Sequence, residues 1–310
     1  MIDFNKSLNP LLFLFVLMFY MQLSNCQEVH IKSYLKVLGT VQDGGVPHLG
    51  CLKSCCQNLS DNEKKSRKVT ALGIIQPSIH ESILFEATPD IVSQWEELQS
   101  APKGIFLTHA HMGHYSGLLH LGREALGAKK TPVFVMPKMK SFLQQNAPWS
   151  QLVELNNVQL QKLSAKNTVM PLQKIEITPI LVPHRDEFSE TVGYFIKGPN
   201  KKVLFIPDID KWDLWEENLI EWLNQVDYAF LDATFYSREE VNYRPISEIP
   251  HPLVKETIAL LQAEPSSLKN KVYFIHMNHT NPLLDRTSPE TKWVLSLGFH
   301  IAELGQLFEL

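Results

Sequence analysis

Three histidines within six residues constrain this chain more than any other feature of its sequence. They lie in Leu107-Thr108-His109-Ala110-His111-Met112-Gly113-His114, directly after an apolar run at residues 104–107 that is typical of a buried strand. Leucines at helical spacing follow at residues 116–126, so the sequence predicts a turn between a strand and a helix. Three imidazoles held by one turn suit a zinc-like ion, which takes few, well-placed nitrogen ligands. The alternative interpretation is a solvated polar loop.

The composition is that of a globular protein with a substantial core. Of the 310 residues, 44% are hydrophobic and 20% are charged, which allows one large domain or two of ordinary size. A formal net charge of -4 lacks the basic excess that is usual in domains that bind nucleic acid. We therefore expect a small-molecule substrate and no nucleic-acid partner, while the oligomeric state stays open.

The amino terminus has the pattern of an export signal. Residues 11–20 are uninterrupted apolar positions, and a run of this length is too short for a bilayer core, which needs roughly 20 residues, but fits the apolar region of a secretory signal. We expect residues 1–26 to be a signal peptide or a lipoprotein signal and residues 27–310 to form one domain. The mature protein would then be periplasmic, secreted or lipid-anchored. Membrane attachment is expected only if Cys26 is lipidated or the signal stays uncleaved.

The order of the predicted elements indicates an α/β sandwich. Short strands come in sequential groups, and each half of the chain closes with alternating strands and helices, which favours two mixed sheets packed face to face with helices outside over a doubly wound sheet. Strands are predicted at residues 31–39, 69–75, 82–86, 105–107, 133–135, 152–160, 175–182, 192–196, 203–206, 228–231 and 272–275, and helices at 91–98, 138–145, 212–223 and 253–261.

Four polar residues directly follow apolar strands, where ligands of α/β proteins gather. They are His184, Asp208, Asp232 and His276. Any one of them alone is more typical of a turn cap than of a ligand. Their occurrence together with the histidine turn favours a metal site.

These residues resemble the ligand series of the metallo-β-lactamase superfamily, whose fold is an αββα sandwich. Within that superfamily, Asp43-Gly44-Gly45-Val46-Pro47, the cysteines after it and the motifs at residues 231–235 and 275–282 are similar to the branch that contains coenzyme PQQ synthesis protein B and the cyclic-phosphate phosphodiesterase PhnP. The resemblance spans nearly all of the chain after the predicted signal.

The resemblance implies two adjacent metal positions. It assigns His109, His111 and His184 to the first metal, His114 and His276 to the second, and Asp208 to a bridge between them, with Asp210 as a near rival for the bridge.

Gly113 departs from the family pattern. The family has an aspartate ligand of the second metal at this position, and glycine offers no side chain. Fewer ligands hold a cation more weakly, so the second metal is expected to bind weakly or not at all. His48, Asp186 and Asp232 are the residues that we considered as replacements.

The cysteines indicate a separate structural metal site. Cys51, Cys55 and Cys56 form an odd set, which makes a poor disulfide framework. The resemblance implies that His279, three residues after His276, completes a tetrahedral zinc site. One disulfide plus a free thiol is the alternative in an oxidising compartment.

The first functional hypothesis is a metal-dependent hydrolase. Zinc at the histidine turn would provide hydroxide at neutral pH, and Asp208 would orient that hydroxide and accept its proton. His48 and His114 are candidates to contact an anionic substrate or to protonate the leaving group. The resemblance implies a small phosphate ester as substrate and zinc as cofactor, one or two ions at the active site and one structural ion. Iron and manganese are alternative metals.

Two other hypotheses stay open. One is an oxidoreductase of cofactor biosynthesis that resembles the PQQ protein, although that relative usually has glutamine at the place of His111 and aspartate at the place of Gly113. The other is a non-catalytic binding protein on a degenerate metal scaffold, which the glycine suggests.

Overall fold

The computed structural model of the protein describes residues 31–241, 245 and 248–310. The predicted export signal, including Cys26, lies outside these residues, so export stays a prediction. None of the helices in the described part of the chain is long and apolar enough to cross a membrane.

Two mixed sheets of seven strands each form the centre of the fold. The first contains β1 (Tyr34–Gly39), β2 (Ala71–Gln76), β3 (Glu81–Phe85), β4 (Ile105–Phe106), β5 (Thr131–Val135), β6 (Val158–Lys162) and β14 (Leu307–Glu309). Its order is β14-β1-β2-β3-β4-β5-β6. The strands from β14 to β3 pair antiparallel, and those from β3 to β6 pair parallel.

The second sheet repeats this arrangement. It contains β7 (Val169–Leu172), β8 (Ile175–Leu181), β9 (Val192–Lys197), β10 (Lys202–Ile206), β11 (Tyr228–Asp232), β12 (Val272–Ile275) and β13 (His300–Ile301), in the order β13-β12-β11-β10-β9-β8-β7. The strands from β7 to β10 pair antiparallel, and those from β10 to β13 pair parallel.

Aromatic side chains from both sheets fill the space between them. The ring of Tyr194 on β9 lies 5.4 Å from that of Phe85 and 5.7 Å from that of Phe106, both in the first sheet. The ring of Phe205 on β10 lies 6.1 Å from that of Phe85. Every residue of β2 is buried, because one face of its sheet packs on the other sheet and the opposite face is also covered. This explains why β2 is a continuous apolar run in the sequence.

Helices cover the outer faces of the sheets. The helices of the described part of the chain are α1 (Ser54–Gln57), α2 (Asp61–Ser66), α3 (Ile91–Glu96), α4 (Met112–Tyr115), α5 (Pro137–Gln145), α6 (Trp149–Glu154), α7 (Leu219–Gln225), α8 (Val254–Leu260), α9 (Ser266–Lys269) and α10 (Pro289–Ser296), of which α1 and α2 do not belong to this outer cover and α4 adds only Tyr115 to it. One outer core joins α3, α5 and α6 to the first sheet, and another joins α7, α8 and α10 to the second. The predicted αββα sandwich of two mixed sheets is therefore confirmed.

Some element boundaries differ from the prediction. The strand predicted at residues 152–160 is instead the end of α6 followed by β6, because Asn156 has φ +57° and ends the helix in a left-handed conformation. The helix predicted at residues 212–223 is a 3-10 turn followed by α7, since the Asn218 side chain accepts hydrogen bonds from two backbone N–H groups and starts a new helix there. The helix predicted at residues 116–126 is instead a short α-helix at Met112–Tyr115 followed by a 3-10 helix at Ser116–Leu121.

Candidate metal centre

The first cluster of donor atoms lies at the carboxyl ends of β4, β8 and β10. His109, His111, His184 and Asp208 each place one possible ligand atom there, and these atoms all lie within 4.8 Å of one another. Nε2 of His109 is 3.4 Å from Oδ2 of Asp208, and Nε2 of His184 is 3.4 Å from Oδ1 of the same carboxylate. The structure thus brings together the residues that the resemblance assigns to a first metal.

A second cluster shares Asp208 with the first. Nε2 of His114 and Nε2 of His276 lie 3.4 and 3.6 Å from Oδ2 of Asp208. Asp208 therefore belongs to both clusters, and its role as a bridge between two metals stays a prediction. Asp43 is the fourth member of this cluster, and sequence reasoning did not identify it as a ligand.

The donor set fits a zinc ion. Zinc–nitrogen and zinc–oxygen bonds of about 2.0–2.1 Å in a tetrahedron separate neighbouring donor atoms by roughly 3.3 Å, close to the spacings in both clusters. Nε2 of His114, Nε2 of His184 and Oδ1 of Asp208 are buried without any hydrogen-bond partner. Buried polar atoms are normally satisfied, so these atoms, which face the same region and have no partner among the described residues, fit a bound cation.

Oxygen atoms behind the histidines orient the rings toward the centre. The Nδ1 atoms of His109 and His276 each hydrogen bond with a threonine hydroxyl at 2.9 Å, those of Thr108 and Thr234. Nδ1 of His184 hydrogen bonds with Oδ1 of Asp210, also at 2.9 Å. Such partners fix the tautomer and leave Nε2 available for a metal. Asp210, the rival for the bridge, therefore contacts His184 from behind.

Burial and nearby charges shift the pKa values of several ligands in opposite directions. Burial opposes protonation of His114, but the charges of Asp43 and Glu86 raise its pKa well above the usual value. Burial lowers the pKa of His109 well below its usual value and that of His111 to about 4, so both imidazoles are neutral at pH 7. Burial opposes ionisation of Asp208, but the charges of His184 and His276 outweigh it and hold the pKa of Asp208 well below its usual value.

Glu86 is a buried residue of the site that sequence reasoning missed. It directly follows β3, and its Oε1 lies 3.2 Å from Nδ1 of His114 while its Oε2 accepts a hydrogen bond from the N–H of Thr108. Glu86 has φ +74°, and His276 has φ +67°. Two non-glycine residues in this rare conformation at one site indicate backbone strain that the surrounding structure maintains. Glu86 directly follows an apolar strand, as the other predicted ligands do, so the same sequence signal could have identified it.

His251 is the second buried residue that sequence reasoning missed. Its Nδ1 hydrogen bonds with Oδ2 of Asp232 at 2.9 Å and lies 3.1 Å from Oδ1 of Asp208. Burial opposes its protonation, but the charges of Asp232 and Asp208 raise the pKa of His251 to about 10. A protonated His251 therefore holds two carboxylates together. It lies in a loop between prolines, where no local pattern marks it.

The three residues considered as replacements for the side chain missing at Gly113 do not fill that position. Both carboxylate oxygens of Asp232 already accept hydrogen bonds, including one from the Ile209 N–H. Asp186 is exposed and forms an ion pair with Lys138. His48 packs beside the cysteines, described next.

The cysteine cluster matches its predicted composition. One ligand atom each from Cys51, Cys55, Cys56 and His279 lies within 4.8 Å of all the others. The cysteines are free thiols, and the sulfurs of Cys51 and Cys55 are 3.9 Å apart, close to the roughly 3.8 Å expected between two thiolates on one tetrahedral zinc. The His48 ring stacks on that of His279 with centroids 4.3 Å apart. His48 thus supports the cysteine cluster, and its contact with substrate stays a prediction.

Comparison with known proteins identifies the family. A profile of the beta-lactamase superfamily domain matches residues 81–277. The chain belongs to the metallo-β-lactamase superfamily. The match contains both donor clusters except for Asp43, and it confirms the family that the histidine turn predicted.

Individual relatives confirm the predicted branch. Coenzyme PQQ synthesis protein B from Klebsiella pneumoniae is 26% identical over 312 residues, covering 89% of this chain and 98% of the relative. The zinc-bound PqqB structure from Methylobacterium extorquens is similar with a TM-score of 0.75 at 21% identity, covering 89% of this chain and all of that one. A diphosphatase of the PhnP family has a TM-score of 0.66 at 21% identity, with coverages of 90% and 98%.

Proposed function

We propose that this protein is a metal-dependent hydrolase of a small phosphate ester. The observation that carries the proposal is the shared position of Asp208, whose carboxylate faces two clusters of histidine nitrogens at 3.4–3.6 Å. A bridging carboxylate between adjacent cation positions is the arrangement that aligns a water with a phosphorus or carbonyl centre. A purely structural metal would be closed off by its four ligands, with none shared.

The residues of the site have distinct tasks in this reaction. The metal, when bound, would supply the positive charge that acidifies water and stabilises negative charge on the substrate. The Asp208 carboxylate would accept a hydrogen bond from the attacking water and orient it. His251 holds that carboxylate in place from behind.

The position and charge of Arg185 favour an anionic substrate. It directly follows His184, is exposed, and makes no hydrogen bond or ion pair within the described part of the chain. Its positive charge contributes to lowering the pKa of His111, which places the guanidinium near the mouth of the site. An unpaired guanidinium beside a metal cluster suits a phosphate, which it can bind in a bidentate manner.

Replacing Arg185 is expected to weaken substrate binding more than turnover. Arg185→Ala should raise KM for a phosphodiester by about tenfold, the loss of one charge-assisted contact, with kcat within about twofold. Steady-state kinetics on bis(p-nitrophenyl) phosphate measure both constants. Arg123→Ala is the matched control, because Arg123 is exposed and pairs with Glu124. An unchanged KM would remove Arg185 from the substrate site.

Replacing His111 tests the hydrolase proposal itself. His111→Ala should lower the metal content of the active site and reduce phosphodiester hydrolysis by at least about a hundredfold, because one of three imidazole ligands is lost. Metal per chain is measured by plasma mass spectrometry beside the kinetics. His120→Ala is the control, since His120 is an exposed histidine just beyond the histidine turn. Absence of metal from the wild-type site, or equal turnover by the variant, contradicts the proposal.

A role like that of PQQ synthesis protein B is the second candidate. It is favoured by relatives of this name that match 89% of the chain at up to 26% identity. Imidazole and carboxylate ligands also accept iron. Iron in the native protein together with oxygen uptake would support this candidate, whereas zinc with phosphodiester turnover supports the hydrolase.

A further inference from the structure

We infer that Asp43 is a ligand of the second metal and replaces the side chain that Gly113 lacks, so that this chain has a complete two-metal site. The inference rests on the proposed metal-dependent function but concerns the number and source of the ligands. Oδ1 of Asp43 lies 3.0 Å from Nε2 of His114 and 3.2 Å from Nε2 of His276. With Asp208, these residues form a cluster of two imidazoles and two carboxylates.

A buried, unpartnered ring nitrogen supports a cation in this cluster. Nε2 of His114 is fully buried and has no hydrogen-bond partner, although Oδ1 of Asp43 is close to it. Oδ1 of Asp43 also hydrogen bonds with Nε2 of His276 at 3.2 Å, so the ring nitrogens of both histidines face this one carboxylate oxygen. The Asp43 side chain is only 11% exposed, and burying a carboxylate is unfavourable unless positive charge compensates it. A metal ion between these atoms would satisfy all of them.

Backbone pairing places Asp43 at this position. The segment after β1 pairs with the segment after β12: the N–H of Gln42 donates to the carbonyl of Met277, and the N–H of Met277 donates to the carbonyl of Thr40, both at 2.9 Å. Met277 is next to His276, so this pairing fixes Asp43 beside the His276 ring. The position of Asp43 is thus set by a β-type contact and not by a free loop.

Gly113 leaves the space that Asp43 occupies. A Cβ atom at position 113 would lie 2.6 Å from Cα, from Cγ and from Oδ1 of Asp43. These distances are shorter than van der Waals contact, so any side chain at position 113 would have to displace the Asp43 backbone. A carboxylate at position 113 and the carboxylate of Asp43 therefore exclude one another. The glycine keeps the second site intact, whereas sequence reasoning predicted that it weakens it.

Single substitutions of Asp43 test its role as a ligand with the metal alone as probe. Asp43→Ala and Asp43→Asn should each weaken binding of the second active-site zinc or cobalt(II) by at least about a hundredfold, while the first and the structural metal stay bound. Equilibrium dialysis with plasma mass spectrometry counts the metals, and cobalt(II) absorbance reports the coordination. A wild-type chain with one active-site metal, or variants that bind both as tightly as the wild type, overturns the inference.

An exchange of the two positions tests the space argument. Gly113→Asp alone should lower both the thermal stability and the metal content, because two carboxylates compete for one space. Asp43→Gly with Gly113→Asp should recover most of the affinity that Asp43→Gly loses. The contrary result is a double variant that unfolds at the wild-type temperature but still binds the second metal no more tightly than Asp43→Gly does. That result would overturn the equivalence of the two positions.

These experiments separate the inference from the proposed function. Loss of the second metal in Asp43→Ala, with no phosphodiester hydrolysis by the wild type, supports the ligand role and contradicts the hydrolase. Hydrolysis by a wild-type protein that holds only one active-site metal supports the hydrolase and contradicts the ligand role of Asp43.

Discussion

Asp208→Asn is expected to reduce hydrolysis by about a thousandfold, which corresponds to about 4 kcal/mol in the activation barrier. Asp208 faces both donor clusters, so its replacement removes negative charge from two cation positions at once. Asparagine keeps the size of the side chain but offers one neutral oxygen in place of two charged ones. The measurements are kcat/KM on a phosphodiester and the number of metal ions per chain, which should fall by at least one.

Asp186→Asn is the matched control for Asp208→Asn. Asp186 follows the same strand as His184 but is exposed and paired with Lys138, so its replacement should leave both measurements unchanged. Full activity of Asp208→Asn would show that the bridging position is not used in the reaction. If Asp208→Asn loses activity but retains all its metals, Asp208 orients water and is not needed to hold the metal.

Cys56→Ser is expected to remove one zinc equivalent and to lower the free energy of unfolding by about 4 kcal/mol. Cys56 is buried, and its sulfur accepts a hydrogen bond from the His48 N–H in addition to its place in the cysteine cluster. A serine hydroxyl is a poorer zinc ligand than a thiolate, so the loop that carries α1 would lose its attachment to His279. Guanidinium unfolding and metal analysis measure the two effects.

Ser54→Ala is the control for the cysteine site. Ser54 begins the same short helix, is exposed, and is not part of the metal-binding cluster. Unchanged zinc content in Cys56→Ser would contradict the structural site and favour the alternative of a disulfide plus a free thiol. Activity should fall less in Cys56→Ser than in Asp208→Asn, because the substrate contacts the other site.

The sequence could predict that the six expected ligands of the active site lie together, because their placement is local. An apolar run that ends at a histidine or an aspartate marks the end of a buried strand, and the carboxyl ends of parallel strands meet at one edge of a sheet. His184, Asp208 and His276 follow β8, β10 and β12 in this way. The same argument applied to β3 would have found Glu86.

Residues placed by contacts between distant segments were not found. His251 lies in a loop without a periodic pattern, and only the packing of that loop on β11 shows that it joins Asp208 and Asp232. The extent of some helices was also misjudged, because caps such as Asn218 act over a single turn and compete with longer apolar patterns.

Gly113 and Asp43 show where local reasoning ends. Ligand chemistry and strand ends are properties of short segments, so the family, the sandwich fold and the histidine and cysteine ligands could be predicted from the sequence. Which carboxylate fills the space above Gly113 depends on the approach of two segments far apart in the chain, and the pairing of Gln42 with Met277 sets that approach. Distance along the chain carries no information about such a contact, and therefore only the folded structure shows that Asp43 belongs to the second cluster.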